Sequence, residues 1–335
     1  MKRLNRKANE IIQSKLSNEM MEYIQEKFST DPDTNKIKRI LDLSSKNFTK
    51  EQLDVIFNSP NDDINLIIKG FEDGLTVEQV KLYANPNFDD KQIKKIIEGF
   101  QDGLTVEQVK LYADPKFDLK QMENIKLGFE NGLTMEQVKF YADPKIDAMR
   151  MDGIMLGLIG GLTVEQVKFY TDPKFDYKQM KEIRLGFENK LTAEQINFYA
   201  DPKFDGDQME EMRKGFEKGL TMEQVKLYAD PNFDEDQIWE IKVGFAHGLT
   251  TEQVKLYADL KFNQYQMRQI REGFENGLTI DQVKNYADPK YDAKQMDLIR
   301  WCLEDGLTIE EIKSLYKVKL ASRKNKLNKI ARRLN

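Results

Sequence analysis

A Leu-Thr pair returns every 29 residues along most of this chain. Its threonines are Thr76, Thr105, Thr134, Thr163, Thr192, Thr221, Thr250, Thr279 and Thr308, and Thr49 opens an earlier copy two residues shorter. A fixed period of about 20–50 residues marks stacked supersecondary units, none of which buries its apolar face alone. That constrains the fold more than the length of 335 residues does, because an array grows without enlarging one central core.

Each copy reads as two helices. In "LTVEQVKLYADPKFD", Thr105 suits an N-cap and Gln108 stands three residues later. This is the capping box, in which the two side chains satisfy orphan backbone N–H groups. Leu104 and Val109 flank it as a hydrophobic staple. Asp118 and Gln121 repeat the device for a second helix, with Phe117 and Met122 as the apolar pair. Pro115 disfavours helix at Asp114, so the first helix should stop near Ala113. Gly132 stands where a left-handed residue would end the second. Met122, Ile125 and Phe129, at i, i+3 and i+7, form one apolar stripe.

A first helix of about eight residues is too short to stand alone and needs neighbours on both sides. The expected fold is therefore all-α: an elongated α-solenoid of about ten two-helix repeats with helical caps. Its divisions are an N-terminal helical cap over 1–48, the repeats over 49–316 and a basic C-terminal helix or tail over 317–335. Within the first cap, 4–28 and 33–44 read as a helix and its partner. Glycine recurs inside the second helix, at Gly99, Gly128, Gly157, Gly186, Gly215, Gly244 and Gly273. It costs about 1 kcal/mol there against alanine, which points to close helix-to-helix approach or to a hinge. Cys302 takes its place in the last full copy.

Charge is unevenly spread. Lys2, Arg3, Arg6 and Lys7 open the chain, and eight Lys and Arg with no acid close it from Lys317 onward. Taking these twelve charges from the net −5 leaves −17 over Glu10 to Tyr316. The body is acidic and both ends are basic. The beginning shows no secretory h-region, and no stretch reaches the ~18–20 apolar residues of a membrane helix. A single cysteine forms no intramolecular disulfide and fits a reducing, cytoplasmic setting.

Little of the sequence offers catalytic chemistry. His247, the only histidine, and Cys302 stand almost two copies apart, too far for a thiol–imidazole dyad. The expectation is a turn histidine and a small buried thiol. Zinc needs several Cys or His ligands. The aspartate columns that include Asp114 and Asp118 repeat one environment, whereas paired catalytic carboxylates need two different ones. Turn and cap roles account for both. No enzyme, cofactor, metal or small-molecule substrate is expected.

Stacking would turn each repeat position into a row. The basic row is Lys126, Arg184, Arg213, Lys242, Arg271 and Arg300, interrupted by Met155, with Glu four residues after most members. Such i, i+4 pairs read as a solvated ion-pair face worth about 0.2–0.5 kcal/mol each. A lysine row that includes Lys110 stands three residues after a Glu or Asp, such as Glu107, and reads as neutralised too. The tyrosine row from Tyr83 to Tyr286 reads as core between repeats, with base stacking as the alternative. Leu111, Phe140, Phe169, Phe198, Leu227 and Leu256 point away from the Val–Ala stripe. They either pack on the next copy or line an apolar partner-binding groove.

"LTVEQVKLYAD" resembles the opening of TAL-effector repeats, and "KQMENIKLGFENGLT" is similar to a shortened form of their second helix. That likeness implies DNA reading through two variable residues per unit. Here the corresponding turn, "ADPKFD" or "ADPNFD", hardly varies, and the body is acidic where phosphate contact calls for basic surface. From Thr49 to about Tyr316 the pattern also resembles tandem helical-hairpin repeats of uncharacterised proteins in clostridial phages and mobile elements. This resemblance implies a mobile-element setting and brings no active site. The function expected is a non-enzymatic scaffold that binds a protein partner, basic or itself nucleic-acid-binding. One such role is a phage or mobile-element inhibitor that sequesters a host defence protein. The alternative is direct nucleic-acid binding through the basic tail and the Arg/Lys row.

Overall fold

The computed structural model describes residues 17–28, 42–43, 47–59, 64–84 and 87–314. Of the helix expected over 4–28 these residues include 17–28; its first part, most of the partner over 33–44 and the tail over 317–335 lie outside them. Among the described residues every regular element is an α-helix, as the capping grammar requires. Two compact units divide the chain between Val164 and Glu165.

The first unit holds α1 (Asn18–Phe28), α2 (Lys50–Asn58), α3 (Ile64–Glu72), α4 (Val77–Tyr83), α5 (Asp90–Gln101), α6 (Val106–Tyr112), α7 (Leu119–Glu130), α8 (Met135–Tyr141) and α9 (Ala148–Ile159). The second holds all but the first residue of α10 (Val164–Tyr170), then α11 (Tyr177–Glu188), α12 (Ala193–Tyr199), α13 (Gly206–Glu217), α14 (Met222–Lys226), α15 (Glu235–Ala246), α16 (Thr251–Lys255), α17 (Gln264–Glu275), α18 (Ile280–Lys284) and α19 (Ala293–Glu304). From α4 onward short helices alternate with long ones. In the second unit consecutive long helices pack on each other from α11 through α19. In the first, α5, α7 and α9 pack in the same way.

Both helix starts are built as the spacing predicts. Thr105 Oγ1 accepts from the Gln108 N–H at 3.3 Å, and Gln108 Oε1 accepts from the Thr105 N–H at 2.9 Å. Asp118 Oδ1 accepts from the Gln121 N–H at 2.9 Å, while Gln121 Oε1 accepts from the Asp118 N–H at 2.8 Å. The short helix stops at Tyr112 with Ala113 as its cap. The long helix ends in a Schellman turn: Leu133 N–H reaches Gly128 O and Gly132 N–H reaches Phe129 O, each at 3.0 Å. Gly132 has φ of 84° there.

The core lies between short and long helices. Val109, Tyr112, Met122 and Ile125 are fully buried, and Phe117 and Phe129 nearly so. Each such side chain contributes about 1.5–3 kcal/mol by leaving water. The tyrosines are core, and they also explain the helical glycines. A Cβ on Gly128 would lie 2.0 Å from the Tyr141 hydroxyl. That hydroxyl donates to the Asn124 carbonyl at 3.2 Å. The expectation of close helix-to-helix approach is corrected in its cause: the space is taken by a phenol, and no hinge is needed to explain it.

Two further devices join consecutive repeats. Gln121 Nε2, left over from its capping box, donates to Pro144 O at 3.1 Å and Ile146 O at 2.7 Å in the next turn. Gln179, Gln208, Gln237 and Gln266 make the same forward bond in the second unit. The near-invariant turn is a closed cassette. In one copy Phe204 N–H bonds Asp201 O at 3.0 Å, Asp201 Oδ1 accepts from the Lys203 N–H at 3.1 Å, and Lys203 Nζ lies 4.7 Å above the Phe204 ring.

Candidate partner-binding surface

The basic row is sheltered rather than solvated, which corrects the expected exposed face. Lys126, Arg213 and Arg271 are buried, and Arg184, Lys242 and Arg300 half-buried. The i, i+4 pairs are present: Lys126–Glu130 at 2.5 Å, Arg184–Glu188 at 2.6 Å, Arg213–Glu217 at 2.5 Å, Arg271–Glu275 at 2.6 Å and Arg300–Glu304 at 2.9 Å. A second set of partners comes from the preceding long helix. Arg213 Nε lies 2.9 Å from Glu182 and Arg271 Nε 2.8 Å from Glu240, with both carboxylates almost fully buried. Lys242, which has Ala246 in place of the local Glu, pairs with Glu211 instead. Lys126 is held also by Asp102 at 2.7 Å. Burial opposes the charge on Arg213 and Arg271, but their two carboxylate partners outweigh it and raise both pKa values. Glu217 resolves the other way: burial works to raise it, and the bonds from Asn189 and Arg213 together leave it lowered.

The Leu/Phe row is half-buried at every member: Leu111 and Phe140 in the first unit, Phe169, Phe198, Leu227 and Leu256 in the second. Phe169 meets Phe187 edge-on at 5.8 Å, and Phe198 meets Phe216 edge-on at 6.2 Å with Lys226 Nζ 5.9 Å above its ring. These rings rest on the long helix of their own hairpin and stay half-buried. His247 is exposed, its Nδ1 2.8 Å from Glu275. Cys302 is half-buried, not the buried thiol expected.

A more pronounced surface lies on α13 and α15. An open depression there is lined by Asp205, Asp207, Glu210, Glu211, Asp234, Glu235 and Asp236, with Phe233, Ile238 and Trp239 at its apolar part. Asp205 and Asp234 are helix caps. Asp207 pairs with Lys178 at 3.3 Å and Glu210 with Lys214 at 2.7 Å. Among the described residues Glu235 and Asp236 have no ion-pair partner. Twelve acids face five bases between Asp201 and Glu240, a net −7. Trp239 is 52% exposed. An indole face beside unpaired carboxylates suits a guanidinium or ammonium group, which gains from both.

Row reading by repeat did not find this surface, because it is made where the copies differ. Trp239 shares its position with Lys181, Glu210, Arg268 and Asp297, and Asp236 shares its own with Lys178, Asp207, Tyr265 and Lys294. Variation among copies at one outward helical position was the available signal. No group of three or more His, Cys, Asp or Glu that could hold a metal ion exists among the described residues. No helix there is long and apolar enough to cross a membrane. Comparison with protein-family models, curated proteins and solved structures finds no match for this chain.

Proposed function

We propose that the chain is a non-enzymatic binding scaffold, an α-solenoid of helical hairpins, that captures a basic segment of a protein partner. The carrying observation is the acid-lined depression of α13 and α15 with Trp239 half in solvent. Repeated locks between neighbouring hairpins supply the rigidity that keeps such a surface ready, and a surface held in shape loses less entropy on binding. The acidic body favours targets that themselves carry a basic, nucleic-acid-binding face. Together with the resemblance to repeats of clostridial phages and mobile elements, this supports a factor that sequesters a host defence protein.

The test is binding of an Arg- and Lys-rich peptide, read from Trp239 emission in a Trp301→Phe background. Glu235→Lys with Asp236→Lys should weaken binding at least tenfold and flatten its salt dependence. Unchanged affinity in that variant would sink the assignment. Tight binding of duplex or single-stranded DNA, with none of the peptide, would favour the nucleic-acid alternative.

A further inference from the structure

The last described long helix, α19, carries two exposed apolar side chains on one face. In the second unit, Glu182, Glu240 and Gln269 occupy one helical position and receive Arg213, Arg271 and Arg300 of the next long helix at 2.9, 2.8 and 3.1 Å. In α19 that position is Leu298, 38% exposed, against 3% for Glu182 and 1% for Glu240. One turn on, Trp301 is 58% exposed. Gln295 builds its capping box, Oε1 accepting from the Asp292 N–H at 2.9 Å. The amides of Gln179, Gln208, Gln237 and Gln266 enter the turn 23 or 25 residues on, and the same spacing from Gln295 points at 318 and 320. A leucine where the other long helices of the second unit carry Glu or Gln calls for an apolar cover, not for another arginine.

We propose that residues 317–335 of this same chain seat on the Gln295, Leu298 and Trp301 face and close it. Three facts choose that occupant. The segment starts three residues after Ser314, the last described residue, so it is tethered beside the face. Its Leu327, Ile330 and Leu334 repeat the spacing of Met296, Ile299 and Leu303 in α19, so it carries the stripe that long helices present to their neighbours. Its eight basic residues and no acid oppose a stretch, Asp292 to Ser314, with six acids and three bases. Closing the end would leave no bare apolar layer to recruit a second copy, the hazard of any repeat array without a capping unit.

The experiment uses Trp239→Phe chains, in which Trp301 is the only indole, and measures acrylamide quenching together with mass by light scattering. The full-length chain should be a monomer with Trp301 protected. A chain ending at Tyr316 should be quenched several-fold more strongly, and peptide 317–335 added in trans should restore protection. A full-length chain with Leu327→Ser, Ile330→Ser and Leu334→Ser, which keeps length and charge, should match the truncated one. Equal quenching in all chains would overturn the proposal. Protection that grows with protein concentration in the truncated and full-length chains alike, with a dimer mass, would overturn it in favour of a second copy as the cover.

Discussion

The Tyr257 hydroxyl lies 1.9 Å from where a Cβ on Gly244 would stand, and donates to the Glu240 carbonyl at 3.3 Å. The phenol and the missing side chain are two halves of one contact. The pairing recurs as Gly70–Tyr83, Gly99–Tyr112, Gly186–Tyr199, Gly215–Tyr228 and Gly273–Tyr286, always thirteen residues apart. The two end copies carry neither half: Leu43 precedes Ile56, and Cys302 precedes Leu315.

Gly244→Ala should therefore destabilise the protein by about 1–3 kcal/mol through overpacking, although alanine is the better helix former. Adding Tyr257→Phe should recover part of that loss, because the hydroxyl is what the Cβ meets. Urea unfolding of the single and double variants decides it. Losses that simply add would show that the two residues do not share the space.

The ion pairs should divide sharply by burial. Arg271→Met takes a 2.8 Å partner from Glu240, whose side chain is 1% exposed, and a 2.6 Å partner from Glu275. Glu240 keeps Arg268 at 2.9 Å, so the expected cost is that of lost charge-assisted hydrogen bonds, about 1.5–3 kcal/mol. Lys255→Ala breaks the exposed pair with Glu223, 2.7 Å apart, and should cost less than about 1 kcal/mol. Similar losses for the two would contradict a sheltered network.

Gln266→Glu separates capping from clamping. The carboxylate still accepts from the Asn263 N–H but turns an oxygen toward Tyr291 O, to which Gln266 Nε2 donates at 2.7 Å. The expected loss is about 1–3 kcal/mol, the cost of an unsatisfied buried group. Increased hydrogen exchange should appear at the 288–292 turn as well as at the start of α17. Change confined to α17 would mean the forward bond holds nothing.

Stability should fall at both pH extremes. The Lys203 N–H lowers the Asp201 pKa, and the side chains of Lys261 and Lys290 lower Asp259 and Asp288. Lowered groups contribute above the unfolded carboxylate value of about 3.9 and lose that contribution as pH drops through their folded values. Burial raises the pKa of Tyr83, Tyr112, Tyr141, Tyr170, Tyr199, Tyr228, Tyr257 and Tyr286. Their contribution is complete below the unfolded value of about 10 and declines as pH rises past it. Melting temperature against pH, followed together with phenolate absorbance, should show these tyrosines ionising only as the helices melt.

Local rules carried the sequence reading far. Capping boxes, the stop before Pro115 and the left-handed Gly132 all act within a few residues, and each stands where spacing placed it. What needed the structure acts over longer separations. Glu182 meets Arg213 across 31 residues and Gln121 meets Ile146 across 25, and no i, i+4 rule describes either. The aromatic, acid-lined depression escaped for a different reason. Averaging the copies into rows erases Trp239, since the residue matters only because its counterparts are Lys181, Glu210, Arg268 and Asp297.

The forward-reaching glutamine has a bearing on heredity. Most hairpins carry their own lock thirteen residues long and reach the next turn through the same glutamine. A duplicated or deleted stretch of 29 codons among those copies would thus arrive with matching ends for these two contacts.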